Sequence, residues 1–308
     1  MSSSQRLPRR HHFVPRFLLA NFTETGDEDG FLHVHDLERA QHRRQRPKEV
    51  AHERDFYRVE IDGKDPVGFE KAMGLLEDRA APIIRTMLES WRLPRGSDLG
   101  VLIEFAAYLA VRVPKVRKRM LAAAERVTKR MLHEASASPE QYAVALERSR
   151  AGGRPLPDIG IEKVRRLAES VVIEGDQAGL VSQIPKQADK LFEKMLQRQW
   201  SLMIGEPGAP GFVCSDAPMS HSVFTRPSRA GDPVSGMWLP LAPRLALVSD
   251  PMAAGWGEYE APGRYVALVN RMVVLGASRI FARSNDFIWL KDDGKFGHAS
   301  DANRPASG

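Results

Sequence analysis

The chain has 308 residues, of which 43% are hydrophobic, with a formal net charge of +6 and a pI of about 9.5. This length and composition predict a globular protein with a substantial core, and the absence of an apolar run of about 18 residues argues against a membrane-spanning helix. The basic start has no apolar stretch after it and Cys214 is the single cysteine, which excludes a secretory signal or a disulfide framework and favours a reducing cytoplasm.

The N-terminal part is predicted to be short strands around one short helix. Residues 1–10 are small, polar and basic and predict a disordered tail. Apolar side chains over residues 17–22 suit a short helix or turn, and the alternation of residues 31–35 predicts a strand. Residues 55–61 are a second strand candidate, closed by a turn.

The middle of the chain, about residues 68–199, is predicted to be helical. Apolar residues recur every three or four positions from 69 to 87, where Pro82 should kink or split the helix. The strongest helix is predicted over residues 99–133, with a kink at Pro114. Further helices are predicted over residues 139–150, 161–174 and 185–199, the last with Pro185 in its first turn.

The part from about residue 200 to 283 is predicted to be rich in strands. Strands are predicted over residues 200–204, 212–215, 237–241, 245–249 and 280–283, with a helix over 265–277 and a polar loop over 225–236. Residues 291–308 predict a disordered tail. The fold class is therefore α+β, a single domain over residues 11–290 whose short antiparallel N- and C-terminal strands are expected to meet in one mixed sheet.

Positive charge is concentrated in two segments. Between residues 112 and 133 the sequence has eight Lys or Arg and a single acidic residue, Glu125, and residues 39–48 form a second basic cluster. Clustered positive charge binds phosphate groups of nucleic acid, for which Arg16, Arg117 and Lys118 are candidates. The alternative is a solvated helix face.

Several short motifs resemble one bacterial family, the domain-of-unknown-function family 4238. The opening HHFVPRFLLANF at residues 11–22 resembles the start of that family. The other matching elements are Phe56-Tyr57, the Glu70 to Glu77 spacing, Arg112-Val113-Pro114, Ser215-Asp216-Ala217-Pro218, Leu239-Pro240-Leu241-Ala242-Pro243 and Asn270. Ala242 departs from the family's serine. The resemblance runs from about residue 11 to 283 and implies positions for a site but no reaction.

Glu70 and Glu77 are two helical turns apart and therefore point in nearly the same direction. They lie at the edge of an apolar stripe, as does Arg112 on its own helix. An ion pair at a helix–helix seam is one interpretation. The other is a pair of carboxylates lining a polar pocket, for metal binding or acid/base catalysis.

Histidines supply further candidates. His11 and His12 are adjacent, so on a strand they point apart; either one suits metal binding or proton transfer, or pins the N-terminal loop to backbone groups. His33 and His35 share one strand face, a geometry that metals use, although solvated strand polarity is the simpler interpretation.

Asp216 follows a predicted strand at a tight turn. An aspartate there caps backbone N–H groups or projects into a cleft as a catalytic carboxylate. Cys214 lies in an apolar run with nothing that would lower its pKa. The sequence has no Walker loop, no GxGxxG and no zinc-type cysteine pair.

Two functions follow from these residues. The first is a metal-dependent phosphodiesterase or nuclease, with Mg²⁺ or Mn²⁺ held by His12, Glu77 and Asp216, and with His11, Glu70 and Arg112 completing one site. The second is a non-catalytic binding module, of the kind found in defence or toxin systems, whose polar residues are structural. The sequence leaves the substrate and the oligomeric state undetermined, and we expect no membrane partner.

Overall fold

The structure is a computed structural model that describes residues 9–60, 65–153, 155–227, 233–249 and 257–302. Residues 1–8 of the tail expected over residues 1–10 lie outside the described ranges. The helices are α1 (Arg16–Ala20), α2 (Gly68–Ser90), α3 (Gly96–Val111), α4 (Pro114–Ala135), α5 (Pro139–Ala151), α6 (Ile161–Ser170), α7 (Gln177–Leu196) and α8 (Gly263–Gly276). None of the helices in the described ranges is long and apolar enough to cross a bilayer.

The strands are short. They are β1 (Arg10–His12), β2 (Leu32–Asp36), β3 (Gln41–Gln45), β4 (His52–Arg54), β5 (Ser201–Gly205), β6 (Cys214–Ser215), β7 (Ser220–Pro227), β8 (Pro233–Ala242), β9 (Leu245–Ser249), β10 (Gly257–Ala261), β11 (Arg279–Ala282), β12 (Trp289–Leu290) and β13 (Phe296–Gly297). With eight helices and these strands in the described residues, the predicted α+β class is confirmed.

The N- and C-terminal strands meet as predicted, but in a four-stranded antiparallel sheet rather than in one mixed sheet. Its strand order is β3-β2-β11-β6, so the hairpin near the start of the chain pairs with a strand near its end. A second, mixed sheet has the order β10-β5-β9-β8-β7, in which only β10 and β5 run parallel. Two further strand pairs, β1-β4 and β12-β13, are each antiparallel.

Helix α8 packs against both larger sheets. Val273 and Val274 join Ile280 of β11 in one apolar cluster, whereas Val266 and Val269 join residues of β5, β8 and β9 in another. Asn270 between them is fully buried. Its side chain accepts a hydrogen bond from the Val213 N–H at 3.0 Å and donates to two carbonyl groups, so the helix is fixed to the adjoining loops.

The chain divides into two compact units. One comprises Met1–Val113 and Val181–Gly308, and the other comprises Pro114–Leu180. In the second, α4 packs against α5 and α6. The sequence predicts one domain over residues 11–290, whereas the structure divides the chain into these two compact units.

The break between the units lies where a single kinked helix is predicted over residues 99–133. Instead α3 ends at Val111 and Arg112 leaves the helical conformation with φ −84° and ψ 6°. Pro114 disfavours the helical conformation in the residue before it and suits the first position of a new helix, so the proline separates α3 from α4 rather than bending one helix.

Several other predictions about prolines and strands differ from the structure. Helix α2 continues through Pro82, so the proline does not split it, and Pro185 lies inside α7 rather than in its first turn. The chain turns at residues 55–57 where a strand is predicted, and β7 and β8 occupy part of the predicted loop over 225–236, of which residues 228–232 lie outside the described ranges. The predicted tail over 291–308 includes β13 and a 3-10 helix, Ala299–Ala302.

The opening motif is part of the core. Phe13, Val14, Leu18 and Phe22 have no exposed surface, and the ring of Phe17 lies 5.7 Å from that of Phe105 on α3. The short helix that the apolar side chains over residues 17–22 predict is therefore present as α1, and Leu18 and Phe22 anchor it in the core. The motif therefore brings its histidines next to the α2–α3 pair.

Candidate functional site

The candidate site is centred on the guanidinium group of Arg112. This side chain is only 2% exposed, its Nε donates a hydrogen bond to the Phe13 carbonyl at 3.1 Å, and its Nη2 lies 2.8 Å from Glu77 Oε1. A buried charge is strongly unfavourable unless it is paired. The ion pair predicted at a helix–helix seam is therefore present, between α2 and the end of α3.

Tyr57 and His11 cover the same end of α3. The hydroxyl of Tyr57 donates to the Arg112 carbonyl at 2.8 Å, which is free to accept because the helix ends there. The backbone N–H of Tyr57 donates to Nδ1 of His11 at 2.8 Å, and the two rings stack with 5.8 Å between centroids. Nδ1 of His11 therefore carries no proton. Burial raises the pKa of Tyr57, which remains a neutral donor.

Glu70 differs from its neighbours in that one carboxylate oxygen is left over. Its Oε2 is buried and has no hydrogen-bond partner within the described residues. Burial raises the pKa of Glu70 to about 7, an effect that the nearby Arg112 opposes and Glu77 reinforces. A carboxyl with this pKa is suited to proton transfer near neutral pH.

His12 points to the other side of β1, as expected for adjacent strand residues. Its ring meets that of His52 edge-on at 5.1 Å, and the two residues are partners in the β1-β4 pair. Burial, then the charges of His52 and Arg16, lower the pKa of His12 to about 4. His12 is therefore neutral at physiological pH, and these contacts place it away from the contacts of His11.

Asp216 acts as a cap between two strands. Its Oδ1 accepts a hydrogen bond from the Ser278 N–H at 3.0 Å, and its backbone N–H donates to the Arg279 carbonyl at 3.1 Å. Its Oδ2 also lies 3.8 Å from Nε of Arg279. These contacts tie the β6 turn to the start of β11 and match the capping interpretation.

Within the described residues, no three His, Cys, Asp or Glu side chains are arranged so that they could hold a metal ion. The predicted ligand set His12, Glu77 and Asp216 lies within those residues and is not assembled. His11, Glu70, Glu77 and Arg112 do come together, whereas His12 and Asp216 take part in separate contacts. Convergence of all six predicted residues in one site is not seen.

A histidine cluster lies on the β2–β3 hairpin. His33 and His35 share a face as predicted, and His42 of β3 joins them with ring centroids 5.2 and 4.8 Å away. His33 also contacts Glu24 Oε1 through Nε2 at 2.8 Å. Burial, then the neighbouring His42 and His33, lower the pKa of His35 to about 4. His42 does not stand out in the sequence pattern, although its cross-strand position indicates it.

The residues predicted to contact phosphate have different surroundings. Arg16 forms an ion pair with Glu28. On α4, Lys118 is exposed and Arg117 is half-buried, while Lys129 and Arg130 pair with Glu125 and Glu134 at 2.7 and 2.8 Å. Part of the α4 charge is thus neutralised within the helix.

The family model described as "Protein of unknown function (DUF4238)" matches residues 10–286. This chain belongs to the DUF4238 family. No curated protein and no solved structure matches it significantly. The DUF4238 match covers every candidate residue described above and brings no reaction with it, so the chemistry has to be argued from the geometry.

Tyr57 is the main residue of the site that side-chain chemistry in the sequence did not select. Tyr57 is part of the family resemblance only, because a single tyrosine forms no spacing pattern that would indicate a role in a site. The carbonyl groups of Phe13 and Arg112 are likewise invisible in the sequence. Their use depends on where a loop and a helix end meet.

Proposed function

We propose that this DUF4238 protein is a non-catalytic binding module that holds nucleic acid on an exposed arginine-rich strand. The observation that carries the proposal is the contrast between two sets of cations. Arg112 is buried and already paired within the cluster, whereas the arginines of β3 face solvent. Of these two sets, only the arginines of β3 are accessible to a phosphate group.

The name arginine strand is used here for β3 together with the residues that flank it. Its cations are Arg39, Arg43, Arg44, Arg46 and Lys48. All except Arg46 are exposed, and β3 is at the end of its sheet, where the edge has no paired neighbour within the described strands. Arg44 and Arg46 lie over the ring of Phe31, at 4.7 and 5.3 Å from its centroid. Such supported guanidinium planes hydrogen-bond phosphate and stack on unpaired bases.

The carboxylates nearby neutralise only part of this surface. Arg44 pairs with Glu24, and Arg39 lies 4.0 Å from Asp36. Arg43 hydrogen-bonds the neutral Gln41 at 2.8 Å, and Lys48 forms no ion pair within the described residues. Arg43 and Lys48 are therefore the best cations to remove in a test.

The test is fluorescence anisotropy with labelled single-stranded DNA, duplex DNA and RNA over a series of KCl concentrations. We expect binding whose affinity falls with salt, and the Arg43→Gln/Lys48→Gln variant to weaken binding and to lower the slope of log affinity against log salt by about 2. The control is Arg148→Gln/Arg150→Gln, which removes the same charge from two exposed arginines of α5 and should leave the slope unchanged. Equal losses in both variants, or no binding at low salt, would overturn the proposal.

A hydrolase is the second candidate, supported by Glu70 alone. A buried carboxyl whose pKa is about 7 has the properties of a general acid or base. The nucleic acid from the binding experiment, run afterwards on a denaturing gel, distinguishes the two functions. Recovery of intact strands supports the binding module, whereas cleavage that Glu70→Gln abolishes supports the hydrolase.

A further inference from the structure

A second candidate site lies far along the sequence from the arginine strand, in a cavity between α2 and α3. The cavity has a volume of about 550 Å³, within the range of small-molecule pockets. Its apolar lining includes Ile83, Met87 and Val101, and Met87 is only 1% exposed. Three charged side chains also line it: Arg79, Arg92 and Asp98.

One wall of the cavity is a loop held in an unfavourable conformation. Trp91, the residue that follows α2 and caps its C-terminus, has left-handed backbone angles of φ 57° and ψ 31°. Bulky residues rarely adopt this conformation, and where they do the surrounding structure enforces it. The guanidinium of Arg244 lies over the Trp91 ring, 4.9 Å from its centroid.

Glu258 on β10 fixes the next residues of the same loop. Its Oε1 accepts a hydrogen bond from the Leu93 N–H at 2.8 Å, and its Oε2 lies 3.6 Å from Nη1 of Arg92. The loop that carries Arg92 and Leu93 into the cavity wall is thus attached to the mixed sheet. The conformation of this cavity wall is therefore fixed by contacts from the sheet.

The charges at the cavity are of both signs and only partly used. Arg79 and Arg92 each make one long ion pair, at 3.4 Å with Glu104 and 3.6 Å with Glu258, which leaves most donors of each guanidinium available. Asp98 forms no ion pair within the described part of the chain and is exposed. Because the lining carries charges of both signs, a ligand with only a positive or only a negative charge leaves one sign of the lining unmatched.

We propose that this cavity binds a small zwitterion with an apolar body, of the class of apolar amino acids and their short peptides. The carboxylate of the ligand meets Arg92, its ammonium group meets Asp98, and its side chains cover Ile83, Met87 and Val101. This assignment matches lining charges of both signs as well as the apolar surface beside them. It is independent of nucleic-acid binding because it shares no residue with the arginine strand.

Titration calorimetry with leucyl-leucine and two modified forms of it tests the charge pattern. N-acetylation removes the positive charge of the dipeptide and C-terminal amidation removes the negative one. We expect the zwitterion to bind about tenfold more tightly than either modified form, as for loss of a charged hydrogen bond. Free leucine, tested in parallel, distinguishes an amino-acid site from a peptide site.

Variants assign each charge. Asp98→Asn should remove the preference for the free ammonium group over the acetylated form, and Arg92→Gln should weaken the preference for the free carboxylate over the amide. Glu258→Gln keeps an oxygen that can accept from the Leu93 N–H but removes the ion pair of Arg92, and should therefore strengthen the preference for the free carboxylate over the amide. Arg85→Gln, on an exposed residue of α2 outside the cavity lining, is the matched control and should change nothing.

The proposal is overturned if none of the four ligands binds, if the three dipeptide forms bind equally, or if Arg85→Gln alters affinity as much as Arg92→Gln does. Circular dichroism of each variant confirms that a loss of binding is not a loss of folding. Nucleic-acid binding by the same variants should be unaffected, which separates failure of this inference from failure of the proposed function.

Discussion

At the scale of single residues, burial decides what each polar group of the DUF4238 motifs does. Arg112 and His11 are nearly or fully buried and use their polar atoms on the backbone, on Tyr57 or on Glu77. Glu70 lies in the same cluster, but its Oε2 has no partner in the described residues. Residue type alone would assign all three to catalysis, whereas their contacts make two of them structural.

The raised pKa of Glu70 predicts a stability change of definite sign. A carboxyl with a folded pKa of about 7 against an ordinary value of 4.5 stabilises the fold below pH 4.5, and this contribution is lost as pH rises through 7. A glutamine at position 70 cannot ionise, so the Glu70→Gln variant does not lose stability as the pH rises. We expect the variant to be more stable than the unmodified chain by about 2 kcal/mol at about pH 8, after allowance for partial exposure to solvent, and by much less at about pH 5.

Urea unfolding at the two pH values measures this difference. Glu89→Gln is the control, because Glu89 is an exposed glutamate of the same helix. A Glu70→Gln variant that is less stable at both pH values would mean that ionised Glu70 contributes a favourable interaction.

At the scale of elements, turns and helix ends bring the site together. The proline after Val113 ends α3, the released Arg112 carbonyl accepts the Tyr57 hydroxyl, and the loop at Phe13 accepts the guanidinium. The β2–β3 hairpin stacks three histidines in a similar way, since cross-strand pairing places His42 opposite His35. In both places, groups that contact each other come from different elements.

The hairpin histidines predict a loss of stability in mild acid. The folded pKa of His35 is about 4, against an ordinary value of 6.5, so its contribution is fully present above pH 6.5 and is lost as pH falls towards 4. We expect the melting temperature to fall between about pH 7 and pH 5, and His35→Gln to flatten that fall. The control is His133→Gln, which replaces an exposed histidine of α4. Glu70 changes stability in the opposite direction over part of this range, so the profile is best measured in the Glu70→Gln background.

At the scale of the whole molecule, the two larger sheets and α8 hold elements from both ends of the chain. The sheet β3-β2-β11-β6 places the arginine strand at an edge, and the cluster around Arg112 depends on contacts between segments up to 99 residues apart. The predicted metal ligands share no such convergence.

Divalent ions should therefore leave global stability unchanged. An ion that binds only the folded state raises the melting temperature in proportion to its occupancy. We expect millimolar Mn²⁺ or Mg²⁺ to shift the melting temperature by less than about 1 °C relative to EDTA. A saturable increase that His12→Ala or Asp216→Ala removes would re-establish the predicted ligand set.

Local pattern was sufficient for much of the fold and for one pair in the site. Helical periodicity located the middle of the chain, and the edge positions of Glu77 and Arg112 correctly indicated an ion pair. The pattern did not indicate that α2 continues through Pro82 or that α7 begins before Pro185, because a proline inside a helix is tolerated where the rest of the helix is well packed, and local sequence does not report that packing. It also failed at residues 55–57, where a turn brings Tyr57 to His11.

Composition and the order of neighbouring residues were enough to indicate the family, the α+β class, the apolar opening motif and the basic clusters. The fold alone sets which cations are exposed, which carboxylates are paired and that His12 and Asp216 take part in separate contacts. These properties depend on burial and on contacts between distant segments. Local periodicity constrains neither, so the same residue types could be structural or functional until the fold placed them.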